Sequence, residues 1–459
     1  MKVNGIIAEY NPFHNGHMYQ LEESRRLTGA DYTVVVMSGN FVQRGAPALV
    51  NKHLRAEMAL RCGADLVLEL PVLYAASSSE YFAAGAVALL DKLGAVTHLC
   101  FGSECGDAGQ LRQIAAFLAD EPEEYRDSLK ELLKQGFSYP DARARALSGL
   151  ADARASVCGK ATARISCGRP LPRNCASILS SPNNILGIDY IKEITKRKSD
   201  MIPTTVMRTG AGYHDTMSAA ESDFHSGFSA VEPAAHTSRT DAAAPACPAM
   251  PLASAYALRQ ALQDGQSPER LRPYMPEDAA RLLESCLAGS RPLFADDFSD
   301  LLYYKLLTEQ EKGYESYLDI SADLSNRILG SLRGFTDFEA FCGLLKTKAF
   351  THTRISRCLI HILLDIRKED LILGRSVDYV PYARALGFRR SAEPLLKAIK
   401  ANTDIPLLTK PAHWRKKLPP EAHRLFRQDI LASDIYMGVA WAGSGRPAPN
   451  EFSTPLAIL

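Results

Sequence analysis

The chain has 459 residues, with 53 Lys+Arg against 52 Asp+Glu and a formal net charge of +1. Its 46% hydrophobic and 23% charged content lies near the globular average and excludes wholesale disorder, and the length accommodates about two to four domains. Taken alone, the flat charge counts against a nucleic-acid partner, although a net balance says nothing about how charge is distributed.

In chain order, Val3–Ala8 reads as a short buried strand, followed by a loop and a helix to Leu27. Tyr32–Met37 is a β-branched run and a second strand; Asn51–Cys62 has helical spacing. Asp65–Leu70 is a third strand, stopped by Pro71. Glu80–Leu93 is a helix, and Thr97–Phe101 a fourth strand ended by Gly102. Strands that alternate with helices predict an α/β domain with a Rossmann-like parallel sheet, whose ligands bind at the carboxyl ends of the strands. The loops after Ala8, Met37 and Phe101 are therefore the places to search.

Residues 142–180 change character. Arg143, Arg145, Arg154, Lys160, Arg164, Arg169 and Arg173 face Asp152 alone as an acid, which reads as a basic, loosely ordered insertion. Ala219–Pro251 is rich in Ala, Ser and Pro and is expected to be a second soft segment with no assigned role. From Ser267 onward the spacing is helical, notably over 278–288, 298–312, 337–348 and 354–367. The expected division is a domain at 1–265 and a helical region at 266–459.

The charge is segregated. Residues 351–459 hold 17 Lys+Arg against 10 Asp+Glu, a surplus of +7 that leaves −6 for the rest. A basic region of this kind suits nucleic-acid phosphates. No run of about 18 apolar residues suggests a membrane span. The start of the chain fits no cleavable signal peptide, and the ten cysteines include no CxxC pair. A cytoplasmic protein without structural zinc or a disulfide framework is expected.

The chemistry concentrates in Glu9-Tyr10-Asn11-Pro12-Phe13-His14-Asn15-Gly16-His17, at a strand-to-helix junction. Gly16 permits close backbone approach, and the helix start offers free N–H groups to an anion. Two imidazoles three apart can donate to charge developing on a phosphate. The HxGH pattern is thus a nucleotidyl-transfer signature, with a metal pair or a structurally satisfied histidine pair as alternatives.

The wider sequence resembles the bacterial tRNA(Met) cytidine acetate ligase family, within the HxGH nucleotidyltransferase-like superfamily. Gly5–His17 is similar to its opening, Ser38–Gly45 to its second loop and Phe101–Glu104 to its fourth-strand exit. Ser181–Gly187, Arg208–Asp215, Lys346–Lys348 and Thr353–Arg357 follow in family order.

The resemblance implies activation of acetate by ATP as acetyladenylate, with Mg²⁺ expected beside the nucleotide. Acetyl transfer to the wobble cytidine of elongator tRNA(Met) would follow, giving N4-acetylcytidine. It implies an ATP site at Ile7-Ala8-Glu9-Tyr10-Asn11-Pro12-Phe13-His14-Asn15-Gly16-His17-Met18-Tyr19-Gln20, together with Gly102, Asn183 and Arg208. His14 and His17 would be the catalytic pair. The implied partners are tRNA and acetate, with no membrane and no obligate protein partner. Residues 266–459 would bind the tRNA, with Arg354 and Arg357 favoured as contacts. An adenylyltransferase acting on a small phosphorylated substrate, and a non-catalytic tRNA- or nucleotide-binding protein, are the competing readings.

Other residues read more blandly. Asn183 is also placed to cap its own helix after Ser181-Pro182. Lys52 and Arg55 read as a solvated helix face, and Gln43-Arg44-Gly45 as a loop tip that reaches phosphate or acetate. Ser103 is no nucleophile, and Glu9 and Glu104 receive no acid/base role. Trp414-Arg415-Lys416-Lys417 suits stacking plus phosphate contact. One departure stands out: the Ser-x-Thr-x-x-Arg turn of related enzymes is matched only by Ser254-Ala255-Tyr256-Ala257-Leu258-Arg259, which puts its placement in question.

Overall fold

The computed structural model describes residues 1–157, 171–172, 174–208 and 250–459, without the side chains of 152–157. Arg154's side chain, Lys160, Arg164, Arg169, Arg173, Thr209–Asp215 and residues 219–249 of the second soft segment lie outside the described residues.

The first strand, β1, spans Val3–Ala8 and leads into helix α1, Asn15–Thr28. Strand β2 (Tyr32–Ser38) is followed by a small hairpin, β3 (Phe41–Val42) and β4 (Ala46–Pro47), and then by α2 (Lys52–Arg61). Next come β5 (Leu66–Leu70), α3 (Ser79–Lys92) and β6 (His98–Ser103). After two further helices come α4 (Tyr139–Val157), α5 (Pro182–Arg197) and β7 (Ile202–Met207). The strands form on the β-branched and apolar runs, whose side chains alternate between two cores. Val34, Val36, Leu66 and Leu68 enter one, and Val35, Met37 and Val67 the other.

Strand β1 pairs in parallel with β2 and β6, while β5 adds to β2 and β7 to β6. The chain therefore runs outward from β1 to β5 and then returns to the far side of β1. That reversal lies between β1 and β6, where open α/β sheets bind ligands beyond their strand ends.

The chain beyond 266 is mainly helical, including His352–Leu363 (α7) and Ala422–Ala440 (α8). It also returns to the sheet. Ala383–Phe388 (β8) pairs antiparallel with β5, and β9 (Leu407–Leu408) and β10 (Ala457–Ile458) pair with β8. The β8 segment, Ala-Arg-Ala-Leu-Gly-Phe, has no β-branched residue, so the helical reading missed it; burial beside β5 decides its state.

The expected loose insertion also requires correction. Residues 139–157 are helix α4, and Arg143 is buried in an ion pair 3.0 Å from Asp189 of α5. The surplus of Arg hid a packed helix, because one of those charges faces inward. No helix among the described residues is long and apolar enough to cross a membrane.

Candidate active site

The loop after β1 is organised by its own side chains. His14 is the N-cap of α1, and its Nδ1 accepts from the Gly16 N–H at 3.1 Å. The His14 N–H donates in turn to His17 Nδ1 at 3.3 Å. With both Nδ1 atoms accepting, a neutral imidazole carries its proton on Nε2. The two rings stack with centroids 3.7 Å apart. A Cβ on Gly16 would lie 2.9 Å from His14 Cε1, so only glycine lets the rings sit this way.

Both rings are held neutral. Burial, with Arg208 and Arg259 nearby, pushes His14 down to about 3. Burial, His14 and Arg208 push His17 well below the ordinary imidazole value. The site is thus a pair of uncharged N–H donors at a helix start, backed by two arginines. Such an arrangement suits an anion with charge spread over several oxygens.

Three other elements close around it. At the exit of β6, a Cβ on Gly102 would meet Arg208 Cγ at 3.4 Å, so the Arg208 stem lies across this glycine. Glu104 accepts from Asn183 Nδ2 at 2.6 Å and from the Asn184 N–H at 3.0 Å. The cap of α5 is therefore Glu104 from a neighbouring loop, rather than Asn183. Ser103 is buried and bonded to Thr205 at 2.5 Å, consistent with its exclusion as a nucleophile.

The Ser254 turn is not displaced. Ser254 caps α6 (Ala255–Gln263) by accepting from Ala257, and Arg259 Nη1 donates to the Asn11 carbonyl at 2.6 Å. Tyr256 points outward, which explains why its substitution for Thr leaves the turn in place.

Together these elements line a cleft of about 810 Å³, within the range of small-ligand sites. Of the expected site residues, Ile7, Ala8, Glu9, Tyr10, Asn11, His14, His17, Gln20, Gly102, Asn183 and Arg208 line it. Pro12, Phe13, Asn15, Gly16, Met18 and Tyr19 do not. Phe13 is core, and Asn15 ties loops together by donating to the Pro251 and Pro273 carbonyls. The cleft also takes in Tyr81, Tyr139 and Asp319, which no sequence pattern marked, and Arg354 and Arg357, which had been placed on a tRNA surface.

Two other expectations change. Lys52 and Arg55 are buried rather than solvated. Lys52 Nζ lies 2.6 Å from Glu69 and 2.7 Å from Glu451, and Arg384 pairs with the same two carboxylates. Burial opposes the Glu69 charge, but Lys52 and Arg384 outweigh it and hold the carboxyl below its usual range. Arg55 donates to the carbonyls of Glu9 at 2.5 Å and Ser38 at 3.1 Å, joining the exits of β1 and β2. Trp414 is likewise buried, with its ring against His423 and Phe426, so it offers no open stacking face; Arg415, Lys416 and Lys417 remain exposed.

A mostly parallel sheet with paired neutral histidines at its switch point defines a nucleotidyltransferase-type site. The HIGH Nucleotidyl Transferase family model matches residues 1–251 and 236–445. The tRNA(Met) cytidine acetate ligase of Acetivibrio thermocellus is 37% identical over 100% of both chains. That of Caldanaerobacter subterraneus subsp. tengcongensis is 37% identical over 95% of each. The crystal structure of Thermotoga maritima TmcAL bound with alpha-thio ATP superposes with a TM-score of 0.82, at 31% identity and 100% coverage of both chains. The chain belongs to the tRNA(Met) cytidine acetate ligase family of HIGH nucleotidyl transferases.

Proposed function

We propose that this protein uses ATP to activate acetate and transfers the acetyl group to the wobble cytidine of elongator tRNA(Met). The observation that carries the reading is the neutral His14–His17 donor pair, in a chain that matches named ligases over its full length. In the first step an acetate oxygen attacks the α-phosphorus of ATP and pyrophosphate leaves. His14 and His17 donate from Nε2 to phosphate oxygens as charge develops there. Arg208 and Arg259 add fixed positive charge, and Gly102 with Asn183 forms the nucleoside side of the cleft. In the second step the cytidine N4 amine attacks the acetyl carbon and AMP leaves.

Magnesium would travel with the triphosphate and neutralise its charge. Among the described residues no three His, Cys, Asp or Glu groups gather to form a metal cage. Residues 266–459 serve as the tRNA-binding region in this reading, with exposed Lys346, Lys348, Arg415, Lys416 and Lys417 as phosphate contacts. A tRNA substrate sets the reaction in the cytoplasm.

The test supplies ATP, labelled acetate and tRNA(Met), then analyses nucleosides and released pyrophosphate. Acetate-dependent pyrophosphate release with N4-acetylcytidine is the expected result. Release that requires a phosphorylated small molecule in place of acetate would overturn it.

A further inference from the structure

The cleft has a second end. Beyond the β1 loop its wall is built by Asp319, Arg354 and Arg357, from the region past residue 266. Two polar atoms there are buried without a hydrogen-bond partner: Asp319 Oδ2 and Arg357 Nε. Such atoms are uncommon in folded proteins. The two groups are close enough to interact electrostatically, yet these atoms do not pair with each other. One is an acceptor awaiting a donor, and the other a donor awaiting an acceptor.

Both are firmly placed. His361 lies 2.9 Å from the carbonyls of both Leu318 and Ala76, which fixes the residue before Asp319. The Asp319 carbonyl is within reach of Arg354 Nη2 at 3.4 Å. Arg357 is held from the other side. Ser356 Oγ donates to the Gly45 carbonyl at 2.7 Å, and Gly45 sits so close that a Cβ there would lie 2.3 Å from the Arg357 nitrogen. Two residues earlier, the Gln43 N–H donates to Glu9 Oε1 at 2.9 Å. A short run of contacts therefore couples the β1 exit to Arg357.

We propose that Asp319 and Arg357 read the Watson–Crick edge of the acceptor cytosine and that Asp319 takes the proton from its N4 amine. The inference rests on the acetyl-transfer reading above and names the residues of its second step. Cytosine presents an N4–H donor beside N3 and O2 acceptors, the complement of a carboxylate oxygen and a guanidinium N–H. Uracil presents an acceptor where cytosine has N4, and the carboxylate repels it. In the reaction the N4 lone pair forms the C–N bond, and the bond from acetyl carbon to phosphate oxygen breaks. AMP leaves with that electron pair, and the N4 proton passes to Asp319 and then to solvent.

The two half-reactions separate the outcomes. Acetate-dependent ATP–pyrophosphate exchange without tRNA reads the first, and single-turnover acetyl transfer to tRNA(Met) reads the second. Asp319→Asn should slow transfer by about 10²–10⁴-fold, the usual range for a lost general base, and slow exchange far less. Asp319→Glu should recover part of that loss. A wild-type transfer rate in Asp319→Asn overturns the assignment, as does an equal loss of exchange and transfer. Absence of acetate-dependent exchange in the wild-type protein instead overturns the acetyl-transfer reading, and this inference with it.

Discussion

The β1 loop and the Lys52 cluster are both buried and both rich in titratable groups, but they resolve burial in opposite ways. His14 and His17 meet each other and two arginines, with no carboxylate among the main influences on either ring, so burial drives them neutral. Lys52, Arg384, Glu69 and Glu451 meet as two cations and two anions, and the paired charges persist. The first arrangement leaves donors available for a ligand. The second spends its donors internally and joins α2, β5, β8 and a residue near the chain's end. A buried titratable group is thus left neutral and available for chemistry where its counter-charge is missing, and is held charged for structure where one is supplied.

Breaking the charge cluster should have the largest effect. Arg384→Met leaves Glu69 and Glu451 with a single cation, and removal of one partner from such a network costs about 3–5 kcal/mol. Urea unfolding should show it as a lower midpoint. Replacement of all four charged residues by apolar ones of similar volume should recover much of the loss, because no charge is then stranded.

Next comes the histidine pair. His17→Ala removes one donor and should slow acetate-dependent pyrophosphate exchange about 10²–10³-fold, the usual loss for an oxyanion donor. Its tRNA affinity and urea midpoint should stay near wild type. A large fall in stability with little loss of exchange would move His17 to the structural side of the contrast.

Gly16→Ala sharpens the same point without removing either ring. The added Cβ lies 2.9 Å from His14 Cε1, so the ring must shift. A displacement of that kind should reduce exchange by about 10–100-fold, because alignment of reacting groups is lost. A crystal structure of the variant with wild-type ring stacking and wild-type rates would refute the geometric argument.

The last effect is on acid stability. Folded His14 titrates at about 3 against an ordinary 6.5, so the unfolded chain binds a proton that the folded chain refuses. Stability contributed by this group is therefore full above 6.5 and falls with pH between 6.5 and about 3. Urea midpoints measured from pH 7 down to pH 4 should decline less steeply in His14→Asn than in wild type.

Much of the histidine end of the cleft was legible because it is local. Strands β1, β2, β5 and β6 lie on apolar or β-branched runs, and His14, Gly16 and His17 act through contacts three residues or fewer apart. Of the far wall, Arg354 and Arg357 stood out in the sequence as expected tRNA contacts, but their place in this cleft did not. Asp319 follows no motif, and its approach to Arg357 depends on the packing of α7 against the Gln43–Gly45 loop. Lys52 and Arg55 looked like a solvated face because their partners, Glu69, Glu451, Arg384 and the Glu9 and Ser38 carbonyls, come from other elements.

The sequence by itself determined the α/β class, the switch-point loop, the segregated charge and the family. These rest on short periodicities and on an ordered series of motifs. Tertiary structure decided which charges are buried, that β8 joins the sheet without β-branched residues, and that Arg354, Arg357 and Asp319 share a cleft with the histidines. The physical reason is that burial and counter-charge are properties of a neighbourhood, assembled from residues hundreds of positions apart, whereas a helix cap or an alternating strand is complete within a few residues of itself.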